Sequence, residues 1–249
     1  MSDQSLKWII PSYKRPDIFI SKTLNYLYEH NINSDDIYLI IRSDDPEIDK
    51  YNNIPDINII ETEVKGIGMT HNFITETFDE GEYIVEIDDD LECLFDNHRK
   101  PIQGLKGIAE TQFKKLEELG YSYAGTYQVN NPMFMSQCQE YTTNLRYMLG
   151  CVRFRIVRED IKLETNYAED FENCILHYIR DGGILKNNWL APKTKNYSPG
   201  GCDADGRDII SEKTDKEFLC DKYPNHCKLF TRKNGRSDLR LAHRPKNAT

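Results

Sequence analysis

The stretch Tyr83–Leu94, YIVEIDDDLECL, decides the fold, because an apolar run ends there in three consecutive carboxylates. Residues 83–87 have the length and β-branched content of a buried strand. In a strand-like continuation Asp88 and Asp90 face the same side, since side chains alternate along a strand. Adjacent carboxylates raise each other's pKa unless a cation lies among them. The pattern predicts a divalent cation, Mg²⁺ or Mn²⁺, held by Asp88 and Asp90.

The segments before this stretch alternate short apolar runs with amphipathic ones. LKWII (6–10), IYLIIR (37–42) and INIIE (57–61) are typical of strands, and residues 17–28 and 68–78 are typical of helices. This order predicts an α/β fold with a mostly parallel central sheet flanked by helices, in which ligands bind beyond the carboxyl ends of the strands. The strand directly before the triplet favours a metal site over the alternative, an acidic surface turn.

The second half of the chain is more mixed. Residues 104–119 predict a helix, 121–158 are strand-like, 170–180 are amphipathic, 184–190 are strand-like, 193–207 predict a long polar loop, 208–219 a last helix, and 227–231 a short strand. Long ordered loops in compact domains tend to be functional. The sequence contains no repeat or linker, so we expect one domain over residues 1–249.

A second pair of acids, Glu169-Asp170, opens the predicted helix at 170–180. Acids in the first turn of a helix interact favourably with its dipole, so helix capping is one interpretation. The other is catalytic, because a carboxylate can deprotonate an attacking hydroxyl group. Together with the acids at 88–90, the pair favours Asp170 as a general base, with Glu169 as the second candidate.

The loop after the first predicted strand, PSYKRP (11–16), is rich in hydrogen-bond donors. The loop begins at Pro11, and its backbone N–H groups from Ser12 onward, with Lys14 and Arg15, suit a phosphate or the edge of a nucleobase. Asp44 and its neighbour Asp45 follow the second strand and could bind a base or ribose at the same edge of the sheet.

Glycines precede the helix at 68–78 in the run KGIGMTHN (65–72). Gly66 and Gly68 permit close backbone approach to a ligand, and a helix N-terminus favours phosphate. The run lacks the third glycine of the dinucleotide fingerprint, and the chain contains no P-loop motif. Nicotinamide-dependent and P-loop enzymes are therefore disfavoured.

Composition narrows the class of protein further. Mean hydropathy is −0.67, but fifteen Tyr and ten Phe can still supply a core. Seven scattered cysteines without a CxxC pair predict neither a disulfide framework nor a zinc site. The first residues lack a signal-peptide core, and no apolar run reaches the ~18 residues of a membrane span. We therefore expect a cytoplasmic or host-cell interior location without a membrane partner.

Taken together, five pieces of sequence resemble the TET-associated glycosyltransferases, a family of GT-A fold enzymes akin to the base J glucosyltransferase. They are KGIGMTHNFI (65–74), IDDDLECL (87–94), EDFENCILHYIRDGG (169–183), NYSPGGCDADGRD (196–208) and TRKNGRSDLRL (231–241). The family occurs largely in phage and viral contexts and is proposed to glycosylate hydroxymethylated bases in DNA. The resemblance implies a nucleotide-sugar half at about 1–100 and an acceptor half at about 101–249.

The resemblance also implies roles for individual residues. Asp88 and Asp90 would bind the metal ion, with His243 as a third ligand, and Asp170 would be the base. The resemblance places Gly66, Gly68 and Asn72 in the donor pocket, to which we also assign Pro11, Ser12, Lys14, Arg15, Asp44 and Asp89. The acceptor side or its loop would comprise Ser198, Gly200, Gly201, Lys233, Arg236 and Asp238. His71 departs from the family pattern, in which an arginine is more usual before the asparagine, so one phosphate contact is expected to differ.

The activity implied is metal-dependent, inverting transfer of a sugar from a nucleotide diphosphate sugar, with UDP-glucose as the expected donor. The net charge of −9 does not favour DNA as acceptor, but residues 222–249 contain eight Lys or Arg against one acid. With Lys193, Lys195 and Arg207 they could form a local positive track beside a flipped base. The alternatives are a transferase acting on protein or polysaccharide, and a catalytically silent nucleotide-sugar-binding domain.

Overall fold

The computed structural model describes residues 5–194 and 200–243, except for the side chains of residues 202 and 203. The strands are β1 (Lys7–Ser12), β2 (Ile37–Arg42), β3 (Asn58–Thr62), β4 (Tyr83–Ile87), β5 (Leu91–Asp96), β6 (Tyr123–Thr126), β7 (Tyr141–Thr142), β8 (Leu149–Ile156), β9 (Leu185–Asn187), β10 (Leu190–Thr194), β11 (Cys227–Thr231) and β12 (Ser237–Leu241). The helices are α1 (Pro16–Phe19), α2 (Asn25–Glu29), α3 (Ile48–Asn52), α4 (Ile67–Thr77), α5 (Leu105–Leu119), α6 (Pro132–Met135), α7 (Glu169–Asp181), α8 (Gly201–Ala204) and α9 (Ile209–Lys222). A π-helical turn joins α1 to α2.

Eight strands form the central sheet in the order β3-β2-β1-β4-β8-β6-β9-β7. The first four are parallel to one another, and β8 then runs antiparallel to both β4 and β6. A parallel neighbour needs a crossover connection, and helices supply those connections in the first half of the chain. The predicted α/β fold with a mostly parallel sheet is confirmed.

The sheet is buried on both faces, as continuous apolar strands require. Trp8 and Ile10 of β1 point into the cluster that contains Phe113 of α5, whereas Ile9 points into the cluster that contains Ile74 of α4. The apolar run Trp8–Ile10 therefore has no polar side chain to alternate with, because both faces of the strand are buried there. Among the described residues, no helix combines the length and apolar character of a membrane span.

Three expectations about local structure are corrected. The acid triplet does not continue β4 as a strand: Asp89 and Asp90 form a turn that leads into β5, which pairs with β10. The strand-like region 121–158 contains a short helix, α6, as well as strands. A strand that sequence patterning missed, β12, pairs with β11 in a hairpin that packs with α9 over a separate apolar cluster.

Gly68, in the first turn of α4, packs very closely against the backbone of Thr165. A Cβ built on Gly68 would lie 1.8 Å from the carbonyl oxygen of Thr165, whereas one built on Gly107 of α5 would meet nothing within 4 Å. We expect Gly68→Ala to lower the free energy of unfolding by about 1–3 kcal/mol or more, because backbone must move to relieve the clash.

The matched control is Gly107→Ala, which we expect to raise the free energy of unfolding by roughly 0.5 kcal/mol through helix propensity alone. Urea denaturation of both variants measures the difference. Equal stability of the two variants would contradict the close packing at Gly68.

Candidate active site

A cavity of about 680 Å³ opens where the parallel strands end. Ser12, Arg42 and Thr62 are the last residues of β1, β2 and β3, and Asp88 directly follows β4; all four line the cavity. This is the edge at which ligands bind in open α/β sheets, because the strand ends and their loops converge there. The helix α7 and the hairpin β11–β12 complete its wall.

The acid triplet lies in this wall and its turn is held by backbone contacts. The Asp88 N–H donates to the carbonyl oxygen of Cys151 on β8 (3.0 Å). The Thr23 hydroxyl donates to the Asp88 carbonyl oxygen (2.7 Å) and accepts from the Leu91 N–H (2.9 Å). Both ends of the turn are therefore held by hydrogen bonds, and the three aspartates line the cavity.

Positive charge reaches the three carboxylates unequally. Asp89 accepts hydrogen bonds from the Ser12 hydroxyl (2.7 Å) and from Arg15 (3.2 Å), and Asp90 has Arg15 at 4.0 Å. Among the described residues, no Lys, Arg or His nitrogen lies within 4.0 Å of the Asp88 carboxylate. The triplet is therefore short of positive charge at Asp88.

The pKa values of the triplet reflect this deficit. Burial raises the pKa of Asp88 to about 7, although Arg153 opposes the shift, and raises the pKa of Asp89 to about 6 despite Arg15. Burial also raises the pKa of Asp90. Oxygen donors with too little positive charge suit a hard divalent cation.

The carboxylates do not enclose an ion on their own. Over the described part of the chain, no group of three His, Cys, Asp or Glu side chains is arranged to hold a metal ion. Sites for Mg²⁺ commonly use one or two carboxylates and complete the shell with substrate phosphates and water. The donor set of Asp88 and Asp90 fits such an open site.

The second acid pair faces the same cavity from the first turn of α7. Asp170 accepts hydrogen bonds from Arg153 (2.5 Å), from the Tyr147 hydroxyl (3.2 Å) and from the Gly150 N–H (3.2 Å). Burial raises the pKa of Glu169 to about 8, the charge of Asp170 adds to the shift, and Arg153 opposes it. Glu169 is the first residue of α7, and its carboxylate accepts a hydrogen bond from its own backbone N–H, so the structure is compatible with both helix capping and a role in the site.

Arg153 belongs to a buried ion network that sequence reasoning missed. Its guanidinium lies 3.7 Å from Glu86, which also has Arg155 at 2.8 Å and His71 at 2.6 Å. Burial lowers the pKa of His71 to about 4, so its imidazole is neutral near pH 7. His71 is thus part of the buried network and does not line the cavity.

The predicted donor residues divide into two groups. Pro11, Ser12, Arg15, Gly66 and Asp89 line the cavity.

The others lie outside its wall. Asp44 is paired with Arg42 (2.5 Å) and Lys65 (3.4 Å), and the Lys14 ammonium lies over the Tyr13 ring. Asn72 exchanges hydrogen bonds with the backbone of Leu163, at 2.8 Å each. Asn72 and the tightly packed Gly68 therefore hold α4 against the segment that contains Leu163 and Thr165, and they do not line the cavity.

The predicted acceptor residues are also divided. Gly201, Arg236 and Asp238 line the cavity, whereas Gly200 and Lys233 do not, although the Gly200 carbonyl oxygen accepts a hydrogen bond from Arg15 (2.9 Å). Ser198 and Lys195 lie outside the described residues. Lys193 is paired with Glu92 (2.8 Å) outside the cavity.

His243, the expected third metal ligand, lines a different, smaller cavity, where its imidazole contacts Arg146. The structure does not bring His243 to the acid triplet.

The far wall of the first cavity is basic, and patterning identified only part of it. Glu212 is surrounded by Arg207 (2.7 Å), Arg236 (3.1 Å) and Lys216 (3.5 Å), and Arg232 pairs with Asp238. The wall is formed by α9, by the hairpin and by Arg207, which precedes α9, and the missed strand β12 carries Asp238 into it. The excess of Lys and Arg after residue 222 was the one sequence signal for this surface.

Comparisons with solved structures agree with this architecture. S. aureus TarS 1–349, in complex with UDP-GlcNAc, superimposes with a TM-score of 0.58 at 15% identity, over 88% of this chain and 66% of that chain. Glucosyl-3-phosphoglycerate synthase from Mycobacterium tuberculosis, in complex with Mn²⁺, UDP-Glc and phosphoglyceric acid, gives 0.54 at 13% identity, over 98% of this chain and 90% of that chain. This chain spans just under two thirds of the TarS chain.

These likenesses show that the chain has the GT-A fold. Identities this low establish the fold alone. No protein-family model matches the sequence, and no curated protein matches it. The finer resemblance to the TET-associated family stays a prediction.

The pKa values of the triplet lead to a pH-dependent metal effect. Ligand carboxylates must be ionised to bind a metal ion, and Asp88, whose pKa is raised to about 7 by burial, is mostly protonated at about pH 5 in the metal-free protein. We expect Mn²⁺ to raise the melting temperature clearly at about pH 8 and little at about pH 5. Differential scanning fluorimetry measures both shifts, and Asp88→Asn should remove most of the shift.

The same raised pKa values make the contribution of Asp88 and Asp89 to stability depend on pH in the metal-free protein. Both carboxyls bind a proton more tightly in the folded than in the unfolded state, where their pKa is about 3.9. The contribution of these two carboxyls to the free energy of unfolding should therefore fall as pH rises from about 4 to about 7, and Asp88→Asn should remove the part that Asp88 contributes. A metal effect of equal size at both pH values would contradict the site.

Proposed function

We propose that this chain is a metal-dependent glycosyltransferase that transfers a sugar from a nucleotide diphosphate sugar to an acceptor hydroxyl group. One observation carries the proposal: the carboxylates of Asp88–Asp90 and of Glu169-Asp170 face each other across a single cavity at the carboxyl edge of a GT-A fold. A silent binding domain would have no need of acids at both positions, nor of the raised pKa values that burial gives Asp88, Asp89 and Glu169.

The donor proposed is a UDP-sugar, with UDP-glucose as the first candidate. The similar structures carry UDP-GlcNAc in TarS and UDP-Glc in the synthase. In this chain the nucleotide would lie in the half formed by residues 1–100, against Ser12, Arg15 and Gly66. The Gly66 N–H opens α4 and points into the cavity region, where it now donates to Asp205 (2.7 Å). A helix N-terminus is suited to phosphate, and a donor phosphate oxygen would take the place of the Asp205 carboxylate at the Gly66 N–H.

The metal ion proposed is Mn²⁺ or Mg²⁺, held by Asp88 and Asp90 and completed by donor phosphate oxygens. When bound, it would neutralise the charge that develops on the departing diphosphate. Asp89 stays with Ser12 and Arg15, so its role is to fix the turn and the position of Arg15.

The catalytic base proposed is Asp170, with Glu169 as the alternative. The base accepts the proton of the acceptor hydroxyl group while the oxygen of that hydroxyl group attacks the anomeric carbon of the donor sugar. The bond from the anomeric carbon to the diphosphate breaks, and the diphosphate leaves. Attack from the face opposite the leaving group inverts the anomeric centre. Arg153, Tyr147 and Gly150 hold Asp170 in one orientation, which is what a general base requires.

The acceptor proposed is a hydroxymethylated base in DNA, bound by the half formed by residues 101–249. The support is the sequence resemblance together with the basic wall of Arg207, Lys216, Arg232 and Arg236, which suits a phosphate backbone. The alternative is a hydroxyl on protein or polysaccharide. The test offers DNA containing 5-hydroxymethylcytosine or 5-hydroxymethyluracil with a panel of UDP-sugars and Mn²⁺. Donor hydrolysis without a DNA product would keep the transferase and exclude this acceptor.

Removing the metal ligands should abolish transfer without unfolding the chain. We expect Asp88→Asn and Asp90→Asn to lower kcat by about 10³-fold or more, because a bound cation contributes several kcal/mol to the transition state. Glu92→Gln is the matched control, since Glu92 pairs with Lys22 and Lys193 outside the cavity. Turnover of labelled UDP-sugar measures the effect. Equal loss in the control would contradict a metal role.

The two candidate bases can be separated by substitution. We expect Asp170→Asn to lower the rate of transfer by about 10²–10⁴-fold, and Glu169→Gln to lower it less. Both variants should still bind UDP, as measured by calorimetry. The opposite ranking would assign the base to Glu169, and the pH–rate profile should then show a limb near its pKa of about 8.

A further inference from the structure

A second, smaller cavity of about 340 Å³ adjoins the first. Tyr147 and Leu239 line both cavities, so these two residues form the wall between them. The Tyr147 hydroxyl donates to Asp170 (3.2 Å) on one side, and its carbonyl oxygen accepts from the Lys186 ammonium (2.8 Å) on the other. One residue therefore separates the candidate base from the second cavity.

The charged groups in the second cavity are all basic. Arg146, Lys186, Arg240 and His243 line it, and no Asp or Glu does. Within the described parts of the chain, none of the first three forms an ion pair with a carboxylate within 4.0 Å. Nor does the sequence that directly follows His243 add an acid, since residues 244–249 contain none. Unbalanced positive charge in a cavity is the electrostatic signature of a site for an anion.

Lys186 is the buried member of this group, with 5% of its surface exposed. Its ammonium donates to Gln128 (2.5 Å) and to the Tyr147 carbonyl oxygen (2.8 Å), and it lies 4.7 Å from the centre of the Tyr127 ring. An ammonium group has three donors, so one remains after these two bonds. Burial lowers the pKa of Lys186 to about 8, and Arg146 adds to the shift. A buried ammonium without a carboxylate is unfavourable until an anion joins it.

The other cations surround the mouth of the cavity. The Arg146 guanidinium contacts the His243 imidazole, and the exposed Arg240 guanidinium lies 5.0 Å from the centre of the Phe230 ring. Neither contact neutralises a charge. Two guanidinium groups and one ammonium group present several N–H donors, which matches the three oxygens of a phosphate better than a single carboxylate.

We propose that the second cavity binds a phosphate group carried by the acceptor, so that the hydroxyl to be modified reaches Asp170 past Tyr147. The acceptor would be a phosphate-bearing hydroxyl compound, and the phosphate would occupy the space between Arg146, Lys186 and Arg240. The acceptor part of this inference rests on the proposed function, but the phosphate site itself does not. The cavity volume is within the range of ligand pockets and leaves room for part of the molecule that carries the phosphate.

The test is a titration of the full chain with inorganic phosphate, followed by isothermal calorimetry in chloride buffer of constant ionic strength. The wild type should show one saturable site. Arg146→Gln/Arg240→Gln should weaken it by about tenfold or more, because charge-assisted hydrogen bonds are lost. The matched control, Lys106→Gln/Lys213→Gln, removes the same two charges from exposed positions outside both cavities and should bind phosphate like the wild type.

Three outcomes would overturn the inference: no saturable phosphate site in the wild type, phosphate binding that the double arginine variant retains, or binding that both double variants lose equally. Melting curves of all variants establish that the fold is intact. A single-stranded oligodeoxynucleotide distinguishes the source of the phosphate. If it displaces inorganic phosphate, the site binds a phosphodiester; if it does not, the site binds a phosphate monoester, and both results keep the site.

The failure of this inference and the failure of the proposed function are distinguishable. If the wild type turns over no sugar nucleotide with Mn²⁺, the proposed function fails, but the phosphate titration still decides the second cavity. If sugar nucleotide is turned over and phosphate shows no saturable site, the inference alone is overturned.

Discussion

The buried guanidinium of Arg153 is the interaction on which the site depends. Arg153 lies on β8 and contacts Glu86 of β4 on one side and Asp170 of α7 on the other. It therefore ties the strand that ends at the acid triplet to the helix that carries the candidate base. A charge this deep is tolerable because carboxylates surround it, and removing one partner of such a network leaves the rest uncompensated. The relative position of the two acid pairs is set by this arginine.

Opposite charges are separated across the two cavities, which share Tyr147 and Leu239 as a common wall. The acids at Asp88–Asp90 follow the parallel strands, and the basic side chains come from α9, the hairpin, β9 and the loops that carry Arg146 and Arg207. The separation follows from the topology. Loops after parallel strands all emerge at one edge, whereas the antiparallel part of the chain folds back to cover that edge from the other side. A donor with its metal ion and an anionic acceptor would thus approach from different halves of the chain.

The sequence was sufficient for the first half of the fold and insufficient for much of the second. β1 to β4 and α4 were predictable because their apolar periodicity is local. β12 was missed because Ser237–Leu241 is short, carries charged residues and becomes a strand only by pairing with β11. Gly68 was interpreted as a place of close approach to a ligand. The approach is real, but the chain at Thr165 makes it, and a sequence alone does not show which partner a glycine admits.

Both cavities hold electrostatics that disfavour the ligand-free protein, and they do so with opposite sign. At Asp88 burial without a cation raises the pKa, and at Lys186 burial without an anion lowers it. Neither arrangement contributes to folding, and hydrophobic residues of similar size would be more stable at both positions. Local rules of stability are broken where function requires it. The two departures lie on either side of Tyr147, which contacts Asp170 through its hydroxyl and Lys186 through its carbonyl oxygen. Ligands that bring a cation to Asp88 and an anion to Lys186 would offset the unfavourable burial of both charged groups.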